Sequence, residues 1–227
     1  MDKTAWVIGA TGLVGAALVK QLLDDARFGR VVTFARRPLG YSHPKLHAHE
    51  VDFRRPESWP GNLKGDVLFS ALGTTRKQAG SLEAQYEVDY TFQFQTAKLA
   101  RERGVETVGL VSSAGANERS RMFYPRIKGE LERDVIALSF PRTRILRPGI
   151  LAGEREQKRT AEGLAVSLSK VLGRVPGLGI MRSIPGEDVA RALRQAWAEG
   201  GTGVVRYEMK DVFALAERAK AEGGGAR

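Results

Sequence analysis

The sequence contains no cysteine. Disulfide bonds, thiolate nucleophiles and cysteine-ligated metal sites are therefore excluded as explanations of its function. It also lacks a stretch of roughly 20 consecutive apolar residues, the length needed to cross a bilayer, and its first residues show no signal-peptide pattern. We therefore expect a protein without a membrane span that is located in the cytoplasm.

Histidine is scarce, with only His43, His47 and His49 in the chain. His47 and His49 would point the same way from a strand, but the sequence offers no third ligand beside them, so we predict no metal site. The formal charge of +10 would suit an anionic partner. However, acidic residues lie between the basic ones and no nucleic-acid-binding motif accompanies them, so we expect no specific nucleic-acid partner.

Apolar runs of strand length alternate with helical segments through most of the chain. This alternation is typical of a parallel sheet with helices on both faces. The sequence therefore predicts an α/β protein with a doubly wound parallel sheet of the Rossmann type. The predicted strands are 5–9, 31–35, 46–51, 66–72, 106–112 and 143–147, and the predicted helices between them are 13–23, 81–103 and 124–138.

The alternation becomes less regular after Gly149. Helices are predicted over 160–172, 187–199 and 210–219, with a short strand at 204–206. This region is too short for an independent substrate domain. We therefore predict one domain over residues 1–221, in which about 150–221 form a small helical cap, followed by a disordered tail over 222–227.

A glycine-rich turn follows the first predicted strand. Gly9, Gly12 and Gly15 are spaced G-x-x-G-x-x-G, which departs from the G-x-G-x-x-G fingerprint. Glycines at a strand-to-helix turn permit a tight bend and close approach of a pyrophosphate, and the helix N-terminus supplies amide donors. Because a strand precedes the turn and a helix follows it, the pattern favours nucleotide binding over an ordinary loop.

The second predicted strand ends at two arginines, Arg36 and Arg37. An NAD enzyme would place an acid here, whereas two guanidinium groups suit a 2′-phosphate, so we predict NADP(H) as the cofactor. Asp52, after the third strand, could contact the adenine amino group or cap a turn. Leu72 and Gly73 end the fourth strand, where ligands lie in open α/β sheets.

A candidate catalytic group lies in the second half of the chain. Tyr124 and Lys128 are four residues apart, so they share one face of a helix, and Ser112 and Ser113 end the strand before it. A tyrosine needs cations nearby to act as an acid or base near neutral pH, and Lys128 can be one of them. A serine opposite it would orient a carbonyl. The sequence does not distinguish Ser112 from Ser113.

At this point the sequence resembles the atypical short-chain dehydrogenases/reductases, and within them the Tat-interactive oxidoreductase family. The resemblance covers about residues 5–215. It rests on the segments Gly9-Ala10-Thr11-Gly12, Arg36-Arg37, Leu72-Gly73-Thr74-Thr75-Arg76, Ala79-Gly80, Val88-Asp89, Ser112-Ser113-x-Gly115-Ala116, Tyr124-x-x-x-Lys128-Gly129-Glu130 and Arg147-Pro148-Gly149.

The resemblance implies further roles for individual residues. It implies that Tyr124 donates or accepts the proton, that Lys128 contacts the ribose, that Leu151 lies against the nicotinamide end and that Arg159 closes over the cofactor. Asp89 stands near the position where most short-chain dehydrogenases have an asparagine of the proton relay. The residues implied to bind NADPH are Thr11, Gly12, Leu13, Val14, Arg36, Arg37, Leu72 and Gly73.

The sequence thus predicts an NADPH-binding oxidoreductase that transfers hydride to a small carbonyl compound of unknown identity. Two alternatives stay open: a non-catalytic sensor whose NADPH occupancy controls a partner, and an enzyme like the nucleoside-diphosphate-sugar epimerases and dehydratases. The sequence also leaves open whether the chain forms a homodimer or binds another protein.

Overall fold

The computed structural model describes residues 2–61, 63–152 and 183–224. Seven parallel strands form the main sheet, and two short strands pair separately. The strands are β1 (Lys3–Ile8), β2 (Phe28–Ala35), β3 (Leu46–Glu50), β4 (Val67–Ser70), β5 (Thr107–Val111), β6 (Arg142–Leu146), β7 (Leu151–Ala152), β8 (Ile184–Pro185) and β9 (Gly203–Tyr207).

Helices connect most of these strands. They are α1 (Leu13–Asp24), α2 (Arg76–Ala79), α3 (Leu82–Tyr86), α4 (Phe92–Glu102), α5 (Phe123–Ala137), α6 (Gly186–Ala198) and α7 (Met209–Gly224). A 3₁₀ turn covers Pro56–Ser58. A π-helical turn, Glu87–Thr91, joins α3 to α4, so the long helix predicted over 81–103 contains one turn of wider pitch at Asp89.

The main sheet has the strand order β3-β2-β1-β4-β5-β6-β9. The order reverses beside β1, which pairs with both β2 and β4, so Ile8 lies opposite Phe34 on one side and Ser70 on the other. In open α/β sheets, ligands bind outside the carboxyl ends of the strands at such a reversal. The predicted doubly wound Rossmann fold is confirmed, and its binding crevice lies where β1, β2 and β4 end.

Both faces of the sheet are covered, which explains why its central strands are apolar along their whole length. On one face, α1, α6 and α7 pack their buried side chains, among them Leu18, Leu193 and Leu215, against the sheet. On the other face, α4 and α5 contribute buried residues such as Phe92 and Leu131. Two hydrophobic cores, one on each face, therefore hold the crevice in place.

The C-terminal residues differ from the small cap predicted over about 150–221. β9 is the seventh strand of the main sheet, and α6 and α7 pack on the same face as α1. The described part of this region therefore completes the sheet, because β9 extends it beside β6. α7 also continues to Gly224, into the segment predicted as a tail.

Two predictions fall on residues that the structure does not describe: the helix over 160–172 and the placement of Arg159. Within the described ranges, no helix combines the length and apolarity needed to cross a membrane.

Candidate cofactor and active site

The glycine turn after β1 is closely packed against the end of β4. Gly9 has a φ of +82°, and a Cβ added there would lie 2.3 Å from the carbonyl oxygen of Ala71. A Cβ on Gly15 would lie 2.1 Å from the Gly9 carbonyl oxygen. Only glycine fits at these two positions. The exposed Gly12 precedes α1: its N–H donates a hydrogen bond to the Gly9 carbonyl oxygen, and its own carbonyl oxygen accepts one from the Ala16 N–H.

The N-terminus of α1 opens into the crevice. Thr11, Gly12 and Leu13 are exposed, and the first amides of the helix have no partner inside it. No acidic side chain occupies the first turn of α1. Val14 is 4% exposed, so only its backbone can contact a ligand here. Free amides and the positive end of the helix dipole suit a pyrophosphate.

The arginine pair lies beside this turn. A cavity of about 420 Å³ is lined by Arg36 and Arg37 together with Gly9, Thr11 and Leu72. Both arginines are exposed, and residues from the ends of β1, β2 and β4 line the same cavity. The structure therefore brings together five of the predicted cofactor residues at the point where the strand order reverses.

Asp52 has another role in this structure. Its carboxylate accepts hydrogen bonds from the Arg54 N–H at 2.9 Å and from Arg55 Nε at 3.1 Å. The backbone hydrogen bond from Arg54 and the contact with Arg55 lower the pKa of Asp52. Asp52 does not line the cavity with the arginines. Of the two alternatives for Asp52, turn capping is the one observed, because both of its oxygens are engaged locally.

A second cavity, of about 400 Å³, contains the catalytic candidates. Ser113 and Tyr124 both line it, together with Leu151 of β7. Tyr124 belongs to the first turn of α5 and is 38% exposed. Partial burial raises the pKa of the Tyr124 hydroxyl, Lys128 opposes that rise and Asp89 adds to it. Lys128 thus acts in the predicted direction, but burial and Asp89 outweigh it, so the phenol is protonated near neutral pH and can donate its proton only as a weak acid.

Ser112 faces away from this cavity, which corrects its prediction as a catalytic residue. Its hydroxyl donates a hydrogen bond to Glu132, and it is 5% exposed. Glu132 also binds the Arg147 guanidinium, with Nη2 at 2.6 Å. Successive side chains of an extended segment point to opposite sides, so only one of the two serines can face the site, and Ser113 is that one.

Lys128 lies behind Tyr124 on α5 and is 2% exposed. Its Nζ is 6.0 Å from the centre of the Tyr124 ring and 3.2 Å from Asp89 Oδ1. Asp89, on the π-helical turn, is fully buried, and its Oδ2 accepts a hydrogen bond from the Thr74 N–H at 3.2 Å. Gly73, the last of the predicted residues after β4, approaches the same carboxylate.

Several residues of the Tyr124 cavity carry no sequence motif. Gln85 of α3 and Ile150, which precedes β7, both line the cavity. A lone glutamine in a helix and an isoleucine in a loop have many ordinary roles. Only their position beside Tyr124 identifies them. Arg159 lies outside the described residues, so its predicted contact stays a prediction.

Comparison with known proteins agrees with this geometry. Residues 9–199, which span the glycine turn, the arginines and Tyr124, match the profile of a family described as NAD(P)H-binding. The chain belongs to this family. It is also similar to "Protein FMP52-1, mitochondrial" of Scheffersomyces stipitis, with 39% identity over 223 residues that cover 93% of this chain and 98% of the relative.

Solved structures of other proteins share the fold. A short-chain dehydrogenase of Burkholderia cenocepacia in complex with NADP superimposes with a TM-score of 0.65 and 20% identity, covering 99% of this chain and 93% of that one. The ADP-L-glycero-D-manno-heptose-6-epimerase of Helicobacter pylori gives a TM-score of 0.67 and 18% identity, covering 96% and 83%. These likenesses show the fold. Together with the family match over residues 9–199, they confirm the resemblance to atypical short-chain dehydrogenases/reductases and the presence of an NAD(P)H-binding domain.

The comparison overturns one prediction. The curated relatives from Scheffersomyces stipitis and several other fungi carry names that place them in mitochondria. This contradicts the cytoplasmic location expected for this chain, an expectation that rested only on the absence of a recognisable targeting pattern.

Proposed function

We propose that this protein is an NADPH-dependent oxidoreductase that reduces a carbonyl group, with Tyr124 as the proton donor. The observation that supports this most strongly is that Ser113 and Tyr124 line one cavity of about 400 Å³, with the Lys128 ammonium 6.0 Å from the Tyr124 ring. These are the three groups that a carbonyl reduction requires: a hydrogen-bond donor for the oxygen, an acid and a cation.

Tyr124, Ser113 and Lys128 each have a separate role in the proposed reaction. NADPH, held by the glycine turn after β1 and by Arg36 and Arg37, would supply a hydride, that is two electrons and one hydrogen, for the carbonyl carbon. The Tyr124 hydroxyl gives its proton to the oxygen, which yields an alcohol, and the tyrosinate takes a proton back from solvent. Ser113 donates a hydrogen bond that holds the oxygen in place, and the positive charge of Lys128 stabilises the tyrosinate.

We further propose that NADPH is preferred to NADH. The cavity beside the glycine turn is lined by two arginines and by no carboxylate within the described part of the chain. Glu87 accepts a hydrogen bond from Arg54 at 2.7 Å, and this bond is the main reason why the pKa of Glu87 is lowered, with a smaller contribution from Arg36. The carboxylate is therefore engaged by Arg54 and does not neutralise the pair. Two guanidinium groups favour the extra phosphate of NADPH.

Turnover and binding measured on the same variants test the catalytic proposal. Tyr124→Phe removes the proton donor without removing the ring, so we expect kcat to fall by at least about 100-fold while the NADPH dissociation constant stays within about two-fold. Tyr41→Phe, at a similarly exposed tyrosine away from the cavity, is the matched control. If wild type binds NADPH but reduces no aldehyde, ketone or quinone, the sensor alternative replaces the reductase.

The cofactor preference has its own test. Replacing both arginines, Arg36→Ala with Arg37→Ala, should weaken NADPH binding by about 10- to 100-fold and leave NADH binding nearly unchanged. A double variant at two exposed arginines elsewhere, Arg119→Ala with Arg121→Ala, controls for the loss of net charge. Equal weakening of both cofactors would contradict the proposed role of the arginines.

A further inference from the structure

The charge distribution around the Tyr124 cavity is asymmetric. Ser113 and Tyr124 are the groups that the proposed reduction uses. Among the lining residues that the structure describes, Arg76 is the one charged side chain, and no carboxylate lines the cavity. A cavity with a single uncompensated cation attracts a ligand that carries negative charge.

Gln85 adds an independent observation. It is only 6% exposed, yet it lines the same cavity, and its side-chain amide makes no hydrogen bond to the described parts of the chain. The Gln85 amide atoms are not among the fully enclosed, unpaired side-chain atoms of the described residues, so the amide reaches the open space of the cavity. A ligand oxygen in the cavity would accept the hydrogen bond that the protein leaves unmade.

Arg76 lines the same cavity as Gln85. It is the first residue of α2, and Thr75 caps that helix by accepting a hydrogen bond from the Gln78 N–H at 3.2 Å. Hydrogen bonds from its own N–H and from Ser81 lower the pKa of the exposed Glu83, and the charge of Arg76 lowers it further. The Glu83 carboxylate is therefore already engaged by these two donors. The Arg76 guanidinium thus forms no salt bridge with a described carboxylate and is free to bind one from a ligand.

Thr74 and Thr75 also line the cavity, and the wall on the side of β7 is apolar. Pro148, Ile150 and Leu151 line it, and Ile150 is 51% exposed. A volume of about 400 Å³ lies near the lower end of the range for small-molecule sites, roughly 300–1,000 Å³. The cavity therefore suits a small molecule with an apolar body.

We propose that the substrate is a small oxo acid, a carbonyl compound that also carries a carboxylate. Arg76 and Gln85 bind the carboxylate, Pro148 and Ile150 contact the carbon chain, and the carbonyl lies at Ser113 and Tyr124. The reduction converts the oxo acid into a hydroxy acid by the hydride and proton transfer described above. This inference rests on the proposed reductase function and specifies its substrate.

Short ω-oxo acids, each paired with its methyl ester, test the proposal because only the charge differs within a pair. We expect wild type to reduce the acid with a kcat/KM about 10- to 100-fold above that of the ester, mainly through KM. Arg76→Gln should remove this preference. Lys77→Gln, at the exposed neighbouring lysine that does not line the cavity, should keep it.

A second measurement does not depend on turnover. Calorimetry of the NADP-loaded protein with the same pairs should show tighter binding of the acid, lost in Arg76→Gln. Equal kcat/KM and equal binding for acid and ester would overturn the oxo-acid proposal while leaving a reductase of neutral carbonyls. Selective acid binding without turnover would retain the carboxylate site and overturn the reductase. If Arg76→Gln instead weakens NADPH binding, Arg76 belongs to the cofactor site and the proposal is wrong.

Discussion

Lys128 Nζ lies 3.2 Å from Asp89 Oδ1, and the two side chains are 2% and 0% exposed. Burial raises the pKa of Asp89, and the ammonium of Lys128 opposes that rise. Because the second oxygen of Asp89 accepts the Thr74 N–H, the carboxylate connects α5 to the loop that follows β4. The pair therefore fixes the proposed catalytic lysine relative to the cavity that Thr74 lines.

Removing the charge of Asp89 should destabilise the protein. Asp89→Asn leaves the Lys128 ammonium buried without its counter-charge, so we expect the free energy of unfolding to fall by about 3 kcal/mol at pH 7. Glu102→Gln is the control, because Glu102 pairs with Lys98 at 3.9 Å on the exposed face of α4 and should cost at most about 1 kcal/mol. Urea unfolding measures both; similar losses would contradict the assignment of a buried ion pair.

The phenol of Tyr124 should titrate above the ordinary tyrosine range in the cofactor-free protein. Burial and the charge of Asp89 raise its pKa, so the phenol keeps its proton as pH rises through about 10. The absorbance at tyrosinate wavelengths, taken as wild type minus Tyr124→Phe, isolates this group. A midpoint below the ordinary value would show that Lys128 outweighs burial and Asp89.

The same pKa direction sets the expected pH dependence of carbonyl reduction. Reduction needs the protonated phenol, so kcat/KM should be flat through neutral pH and fall only when Tyr124 ionises. A fall that begins near pH 7 would instead indicate another essential acid.

The two neighbouring serines should respond differently to the same substitution. Ser113→Ala should lower kcat/KM by about 10-fold or more with little change in stability, because Ser113 lines the cavity and its hydroxyl bonds only locally, to the Ala114 carbonyl oxygen at 3.3 Å. Ser112→Ala should lower the free energy of unfolding by about 1–2 kcal/mol and leave kcat/KM nearly unchanged, because its hydroxyl binds the buried Glu132. Steady-state kinetics and urea unfolding on both variants check this, and the reverse pattern would show that Ser112 faces the site.

Two glycines with positive φ, Gly80 and Gly9, should differ in their tolerance of alanine: Gly80 should accept it and Gly9 should not. Gly9 and Gly80 both have positive φ, +82° and +90°, so alanine costs about 1–2 kcal/mol of backbone strain at either position. At Gly9 the new Cβ would also lie 2.3 Å from the Ala71 backbone, whereas nothing lies within 4 Å at Gly80. We expect Gly9→Ala to lose folding or NADPH binding and Gly80→Ala to retain both, measured by urea unfolding and fluorescence titration.

Much of the proposed cofactor site could be predicted from the sequence, because its residues lie in short consecutive runs. The turn from Gly9 to Gly15 and the pair Arg36-Arg37 each follow a strand, and parallel strands bring their carboxyl ends to one edge of the sheet. The role of Asp52 was harder to predict, since an aspartate after a strand can equally well bind a ligand or cap its own turn. Arg54 and Arg55 are close to Asp52 in the sequence, but only the folded structure shows that they donate hydrogen bonds to its carboxylate.

The sequence by itself determined the α/β architecture, the nucleotide turn and the spacing of Tyr124 and Lys128, because these depend on local periodicity and on residues close together in the chain. Tertiary structure decided which serine lies beside Tyr124 and that Asp89 pairs with Lys128. It also decided that Arg76 and Gln85 share a cavity with Ser113 and Tyr124. It also placed β9 in the main sheet rather than in a cap. These outcomes depend on how strands and helices far apart in the chain pack together, which local patterns do not specify.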